Sequence, residues 1–185
     1  MRARLSNVAP EESREAGETA ARRLVASEVW AQVTGVLVFS PVRGEIDATP
    51  VARAAWATGR RVFLPSPRPE TLELRPVEWA EGARLRPGPY GIPVVADSVF
   101  GAGVEGAIDL VLVPGLAFDG RGARLGSGLG YYDRFLAAHP SSLSLGLGYT
   151  WQVVDAVPEE GHDVRLWGLL TSDGLSRARA SNGLP

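Results

Sequence analysis

The chain has 185 residues, of which 45% are hydrophobic and 22% are charged, and its formal net charge is −2. This composition fits one soluble globular domain, and the near-neutral charge gives no electrostatic basis for binding nucleic acid or a membrane surface. The chain contains no cysteine and no lysine, which excludes disulfides, thiol catalysis, thiolate metal sites and a Walker-type phosphate lysine.

The amino-terminal half predicts two helices and three strands. Residues 9–30 (APEESREAGETAARRLVASEVW) are predicted to form one helix, with Pro10 in its first turn. The run GVLVFS (35–40) predicts a short buried strand, and TPVARAAWATG (49–59) predicts a helix with Thr49 as its N-cap. The run RRVFLP (60–65) predicts a second strand, and the alternating TLELRPVEW (71–79) predicts an edge strand.

The carboxy-terminal half predicts three more strands and one helix. PGPYGIPVVADS (87–98) is expected to be irregular, whereas IDLVLVP (108–114) is the clearest buried strand. A helix is predicted from 131 to 138, followed by strands in SLSLGLGY (142–149) and LWGLLTS (166–172). The tail after residue 176 is expected to fray.

Continuous apolar strands that alternate with helices predict an α/β fold: one Rossmann-like sandwich domain over residues 1–185, with a mostly parallel sheet and helices on both faces. Ligands of such sheets bind at the carboxyl ends of the strands. The amino terminus lacks the apolar stretch of a signal peptide, and no apolar run reaches membrane-spanning length, so we expect a cytoplasmic protein.

A glycine-rich loop follows the strand at 108–114. Glycines at 126, 128 and 130 allow backbone N–H groups to point into one hollow, and the start of the next helix adds uncapped N–H groups. Arg121 and Arg124 supply positive charge, and Asp133 is suited to a divalent cation. These parts suit a polyphosphate with magnesium, although a plain turn and a capping Asp133 are equally consistent with the residues alone.

The stretch VPGLAFDGRGARLGSGLGYYDRFL (113–136) resembles the signature of the 5-formyltetrahydrofolate cyclo-ligase family, also called 5,10-methenyltetrahydrofolate synthetases. The resemblance extends over most of the chain: FSPVRGEIDATPVARAAWATGRRVFLP (39–65), PYGIP (89–93) and GHDVRLWGLLTS (161–172) also match. Members use ATP and magnesium to convert 5-formyltetrahydrofolate to 5,10-methenyltetrahydrofolate. The resemblance therefore implies an enzyme with folate and ATP as its partners and Mg²⁺ as its cofactor; we expect a monomer that binds neither nucleic acid nor membrane.

The resemblance also implies roles for individual residues. The catalytic residues are Arg124 and Tyr131. The residues that bind ATP are Arg124, Leu125, Gly126, Ser127, Gly128, Leu129, Gly130, Tyr131, Tyr132, Arg2 and Arg4. The folate is bordered by Ser40, Glu45, Tyr90, Ser127, Gly128, Gly130 and Tyr131, and Mg²⁺ is held by Asp133 and Asp163.

Structural alternatives exist for several of these residues. Glu45 as a solvated loop residue, Tyr90 as a cover for a core edge, Asp163 as a turn-former and Tyr132 as a core residue remain open at this point. The chain also departs from the family pattern: it lacks the amino-terminal lysine, and it has Ser127, Leu129, Val94 and Val95 where other residues are common. These departures favour a second hypothesis, a catalytically weakened or inactive paralogue that binds nucleotide or folate as a sensor or partner-binding module.

Overall fold

The structure, a computed structural model, describes residues 1–42, 44–96 and 106–179. Within these ranges the chain forms five α-helices: α1 (Arg2–Leu5), α2 (Pro10–Val25), α3 (Glu28–Gln32), α4 (Thr49–Ala57) and α5 (Tyr131–Ala138). Short 3₁₀ turns span Pro89–Gly91 and Thr150–Gln152. The strands are β1 (Gly35–Leu37), β2 (Arg61–Arg68), β3 (Glu73–Glu78), β4 (Leu85–Pro87), β5 (Pro93–Val95), β6 (Leu110–Val113), β7 (Ala117–Asp119), β8 (Arg124–Leu125), β9 (Leu143–Leu147), β10 (Val153–Val154), β11 (Gly168–Thr171) and β12 (Gly174–Arg177).

A central sheet of seven strands organises the described residues, in the order β12-β11-β9-β6-β1-β2-β3. The inner strands β11, β9, β6, β1 and β2 are parallel, and β3 and β12 pair antiparallel at the two edges. The predicted α/β fold with a mostly parallel sheet is therefore confirmed.

The two faces of the sheet bury alternate residues of the same strands. Val36, Leu110 and Leu112 pack into one core with residues of α2 and α4. Leu37 and Val111 pack into a second core with residues of α5. Helices thus cover both faces, as the continuous apolar strands predicted.

The strand order reverses direction between β1 and β6. From β1 the chain passes to β2 on one side, and then returns to β6, β9 and β11 on the other. The connections that leave the carboxyl ends of β1 and β6 therefore run to opposite sides of the sheet. Open α/β sheets bind their ligands at such a switch point.

Asp109 fastens the opposite, amino ends of β1 and β6. Its Oδ2 accepts hydrogen bonds from the Thr34 amide (2.7 Å), the Thr34 hydroxyl (2.6 Å) and the Gly35 amide (3.1 Å). Burial opposes ionisation of this carboxyl, but the hydrogen bonds outweigh it and hold the pKa of Asp109 below its ordinary value. The two central strands are thus joined by a charged group as well as by their backbone ladder.

Two helix predictions were wrong in detail. The single helix predicted over 9–30 is two helices, because Ser27 adopts an extended backbone and caps α3 through its contact with the Trp30 amide (3.4 Å). Thr49 is the first residue of α4 and not its N-cap, which is Ala48. The side chain of Asp47 accepts the Thr49 amide instead, at 2.9 Å.

Two segments are more regular than expected. In the stretch predicted to be irregular, β4 and β5 pair antiparallel around the turn at Pro89–Gly91; residues 97 and 98 lie outside the described residues. The tail continues past residue 176, because β12 pairs with β11 to Arg177 and the amides of Ala178 and Arg179 donate to Trp167 and Gly120. The predicted fraying is therefore wrong for 177–179, and residues 180–185 lie outside the described residues.

Candidate active site

Two loops lie beyond the carboxyl ends of β1 and β6. The first, called here the Glu45 loop, comprises residues 41, 42 and 44–47 after β1. The second, the glycine loop, covers residues 126–130 and follows the β7–β8 hairpin that continues from β6. The fold therefore places the two predicted site segments at the same edge of the sheet, at its switch point.

The glycine loop is exposed and leads directly into α5. Gly130 is the N-cap residue of α5 and has a φ of 62°, a left-handed conformation that favours glycine. Gly126 lies so close to Arg124 that a Cβ there would come within 2.7 Å of the guanidinium. Arg134 ties the loop to the β2–β3 turn, since it donates to the carbonyls of Leu129 and Leu72. The Leu129 side chain is exposed, so it does not fill the hollow.

Arg124 and Asp133 form an ion pair at the base of the glycine loop. One guanidinium nitrogen lies 3.0 and 2.9 Å from the two carboxylate oxygens, and the side chains are only 7% and 13% exposed. The Val164 amide also donates to Asp133, at 3.3 Å. The Nε of Arg124 is buried and has no hydrogen-bond partner among the described residues. Arg124 thus retains an unused donor after binding Asp133.

Tyr132 and Glu45 bring a phenol and a carboxyl to the same region. The Tyr132 hydroxyl is buried without a hydrogen-bond partner among the described residues. Burial raises the pKa of Tyr132; the charge of Glu45 raises it further, and that of Arg124 opposes the rise. Burial also raises the pKa of Glu45 to about 7, against the lowering effect of the Val42 amide, which donates to it at 3.1 Å. Glu45 is therefore not an ordinary solvated loop residue.

Tyr90 and Tyr131 form an exposed aromatic pair beside the glycine loop. Their hydroxyl oxygens lie 3.2 Å apart, and the rings meet edge to face with centroids 6.2 Å apart. Burial, followed by the hydrogen bond to Tyr90, raises the pKa of Tyr131 to about 12. Tyr90 is 57% exposed, which does not fit the alternative that it covers a core edge. Its ring is available to a flat ligand.

Other predicted site residues already have partners in the protein. Ser40 donates to the Pro93 carbonyl at 3.0 Å. The Asp163 carboxylate accepts a hydrogen bond from the Glu160 amide at 2.7 Å, as in a turn-forming residue. The next residue, Val164, donates its amide to Asp133, so Asp163 lies close to Asp133 in the chain segment that contacts it. Within the described part of the chain, no three acidic or histidine side chains cluster in a way that could hold a metal ion.

The other arginines that the sequence analysis singled out have partners elsewhere or are exposed. The Arg4 guanidinium lies over the Trp151 ring, 4.1 Å from its centroid, and Arg2 is exposed on α1. Arg121 donates to Asp119 and to the Val157 carbonyl. Arg124 is therefore the predicted cation that lies closest to the loop's helix.

Two of the departures from the family pattern have a structural explanation. Val94 and Val95 are buried in β5, where apolar side chains are the expected choice.

A shallow cleft of about 330 Å³ lies beside the Glu45 loop. It is lined by Val8, Pro10, Ser13, Pro41, Val42, Gly44 and Asp47, and by none of the residues of the glycine loop.

Sequence reasoning missed the residues that hold the Glu45 loop in place. Tyr149 donates to the Gly44 carbonyl at 3.0 Å, and Ser13 donates to the Glu45 carbonyl at 2.7 Å. Their positions on a distant strand end and a helix gave no local signal. Both β1 and β9 pair in parallel with β6, so their carboxyl ends lie at the same edge of the sheet, and this is the feature that could have suggested Tyr149.

Comparisons with known proteins agree with the fold and the signature. The family model for the 5-formyltetrahydrofolate cyclo-ligase family matches residues 1–172. A 5-formyltetrahydrofolate cyclo-ligase of Escherichia coli K12 is 29% identical over 174 residues, covering 92% of this chain and 96% of the relative. One from Mycolicibacterium smegmatis is 32% identical over 169 residues, covering 88% and 85%.

A solved structure gives the same result. The NMR structure of Aquifex aeolicus 5,10-methenyltetrahydrofolate synthetase has a TM-score of 0.78 and 28% identity, and the match covers 100% of this chain and 94% of that one. The resemblance carried by residues 113–136 is thus confirmed over nearly the whole length. The chain belongs to the 5-formyltetrahydrofolate cyclo-ligase family.

Proposed function

We propose that this protein uses ATP and Mg²⁺ to convert 5-formyltetrahydrofolate to 5,10-methenyltetrahydrofolate. The observation that carries the proposal is that the family model matches residues 1–172, which include both the glycine loop and the Glu45 loop that lie beyond the carboxyl ends of β1 and β6. The buried donors of Arg124 and Tyr132 point to a polar ligand at this place, since buried donors without partners are rare in folded proteins.

The reaction requires activation of a poor electrophile. The formyl group on N5 is amide-like, so its oxygen first attacks the γ-phosphorus of ATP: an O–P bond forms and the bond to ADP breaks. N10 then attacks the formyl carbon, the C–O bond breaks, and phosphate leaves with the former formyl oxygen while N10 loses its proton. The protein must hold the γ-phosphate against the formyl oxygen, spread its charge and exclude water.

The glycine loop supplies the phosphate site in this proposal. Backbone N–H groups of residues 126–130 and the start of α5 offer donors and partial positive charge. Arg124 would turn its unused donors toward the phosphates and stabilise the transferring group. Tyr131 would lie at the junction between phosphate and folate, because it starts α5 and contacts Tyr90.

The acidic residues fit a Mg²⁺ ion that is largely held by the nucleotide. Asp133 is engaged by Arg124, and the described residues offer no cluster of three ligands, so a site formed by protein alone does not match. Mg²⁺ commonly binds phosphate oxygens and water together with one or two carboxylates. Asp133 would supply one carboxylate, and Asp163, whose neighbour Val164 contacts Asp133, would supply the other. When bound, the ion would neutralise charge on the phosphate oxygens.

Folate recognition is assigned to the Glu45 side of the site. With a pKa of about 7, Glu45 presents both an O–H donor and a carboxylate acceptor near neutral pH, which suits the polar edge of a pterin-like ring. Tyr90 would offer an aromatic face, and Ser40 would border the ring. Cytoplasmic location and a monomeric state stay predictions from the sequence.

The test is a spectrophotometric assay for the methenyl product with protein, 5-formyltetrahydrofolate, ATP and Mg²⁺. We expect an absorbance rise that requires ATP, with the E. coli cyclo-ligase as the positive control. The inactive-paralogue alternative rests on the missing amino-terminal lysine and on Val94 and Leu129, and it is supported by Arg4, whose guanidinium is stacked on Trp151. It predicts a thermal shift with ATP or folate but no product, under conditions where the control turns over.

A further inference from the structure

The backbone of the Glu45 loop is held from three directions. Tyr149 donates to the Gly44 carbonyl (3.0 Å), and Ser13 of α2 donates to the Glu45 carbonyl (2.7 Å). The third contact is with α1: a Cβ at Gly44 would lie 2.0 Å from the carbonyl oxygen of Leu5. The backbone that carries Glu45 is therefore held by residues far from it in sequence, whereas its carboxylate accepts the nearby Val42 amide.

Tyr149 is itself fixed on two sides. Its amide donates to Gln152 Oε1 at 2.9 Å, and Gln152 Nε2 donates to the Gly115 carbonyl at 2.6 Å. The ring stacks on Trp151, with centroids 5.1 Å apart and an interplanar angle of 5°. Arg4 covers the Trp151 ring at 4.1 Å. Tyr149 thus connects the segment after β6, which leads to the glycine loop, with the Glu45 loop.

The hydroxyl of Tyr149 is separable from its packing. The stack on Trp151 and the burial of the ring need only a phenyl group, so a phenylalanine would keep them. The bond to Gly44 needs the oxygen, and it acts one residue before Glu45. A loop held by hydrogen bonds loses less conformational freedom when ligand binds, which raises affinity without new contacts.

We infer that Tyr149 is a positioning residue for the folate subsite, whose hydroxyl holds the Gly44 carbonyl and thereby places the next residue, Glu45, for contact with the bound folate. This inference rests on the proposed function, because it assigns Glu45 to folate. Tyr149 acts through Glu45 and the Gly44 carbonyl, and it takes no part in phosphoryl transfer.

The experiment compares Tyr149→Phe with Ser142→Ala. Ser142 makes the same kind of bond, hydroxyl to the Ile108 carbonyl at 2.6 Å, but at the amino ends of the strands, away from the site. Binding of 5-formyltetrahydrofolate is measured by calorimetry, kcat and KM by the methenyl assay, and the Gly44 and Glu45 amide resonances by NMR. Ser13→Ala is a second variant that removes a different hydrogen bond to the same loop, and thermal melts establish that each variant is folded.

Tyr149→Phe should raise the Kd and the KM for folate about three- to tenfold, as expected for loss of one hydrogen bond, with kcat within about twofold. The Gly44 and Glu45 resonances should shift, Ser13→Ala should act in the same direction, and Ser142→Ala should change none of these. Unchanged folate affinity in folded Tyr149→Phe, or a loss of kcat alone, would overturn the inference. If the wild type binds folate without turnover, the proposed function is refuted, and the comparison of Kd values still decides this inference. If the wild type does not bind folate, both are refuted.

Discussion

Arg124 and Asp133 neutralise each other at the base of the glycine loop, with contacts of 3.0 and 2.9 Å between side chains that are nearly buried. The sequence suggested that one would bind phosphate and the other a cation. In the structure they bind each other, so each charge is compensated within the protein. Binding of a polyphosphate with its cation would give Arg124 a negatively charged phosphate in place of Asp133. It would give Asp133 a cation in place of Arg124.

Asp133→Asn should lower the free energy of unfolding by about 3 kcal/mol, because it leaves a nearly buried guanidinium without a counter-charge. Urea unfolding at neutral pH measures this. The control is Glu18→Gln, which breaks the exposed pair with Arg53 and should cost less than about 1 kcal/mol. Equal losses in the two variants would show that Asp133 is only a helix-capping residue.

Arg124→Ala should reduce kcat/KM about 10²- to 10³-fold, the usual effect of removing a charged donor from a transferring phosphoryl group. The matched control is Arg121→Ala, whose guanidinium is held by Asp119 and Glu159. Asp119 keeps three backbone amide donors in that variant, so folding should persist and activity should fall much less. A similar loss in both variants would contradict the assignment of Arg124 to the phosphates.

Glu45 should make stability depend on pH in an unusual direction for a carboxylate. Its folded pKa of about 7 lies above the ordinary 4.5, so the folded state holds the proton more tightly, and stability falls as pH rises from about 4.5 through 7. Glu45→Gln should therefore be more stable than the wild type at pH 8, and the two should converge near pH 4.5. Urea midpoints across this range test the prediction.

Glu78→Gln provides the control of opposite sign. The hydrogen bond from Arg61 lowers the pKa of Glu78, so its contribution to stability is present at neutral pH and lost as pH falls. This variant should be less stable than the wild type at pH 7 and converge with it in acid. Parallel pH curves for wild type and Glu45→Gln would mean that the Glu45 carboxyl is well solvated.

Gly44→Ala should destabilise the chain more than Gly59→Ala does. Both glycines have left-handed backbones, with φ of 79° and 71°, which costs an alanine about 1–2 kcal/mol. Gly59 has open space around it, whereas a Cβ at Gly44 meets the Leu5 carbonyl, which belongs to the backbone and moves only with α1. Thermal melts compare the two, and equal changes in Tm would show that α1 is not packed on the Glu45 loop.

The parts of the fold with local signals were predictable. A helix was predicted at about 131–138, where α5 lies, because the apolar residues there have helical spacing. The buried strand predicted over 108–114 is the central parallel strand β6, which is shorter (Leu110–Val113). The break at Ser27 was missed, because a single extended residue between two helical patterns leaves the periodicity nearly intact.

The site was predictable only where the family signature covered it. The pairing of β7 with β8 looked like a continuous glycine-rich loop, since Gly120 and Gly122 lie between the strands. The raised pKa of Glu45 arises mainly from desolvation on burial, which depends on tertiary packing and leaves no pattern in the neighbouring sequence. Tyr149 was missed for the same reason, because its contact with Gly44 spans 105 residues.

The carboxylate of Asp109 has a mechanical consequence. It accepts three hydrogen bonds from Thr34 and Gly35 and so attaches the amino end of β6 to the amino end of β1. The amino ends of β1 and β6 are therefore attached by side-chain hydrogen bonds as well as by the backbone ladder. The residues proposed for chemistry lie at the opposite, carboxyl ends, so substitutions among them leave this attachment intact.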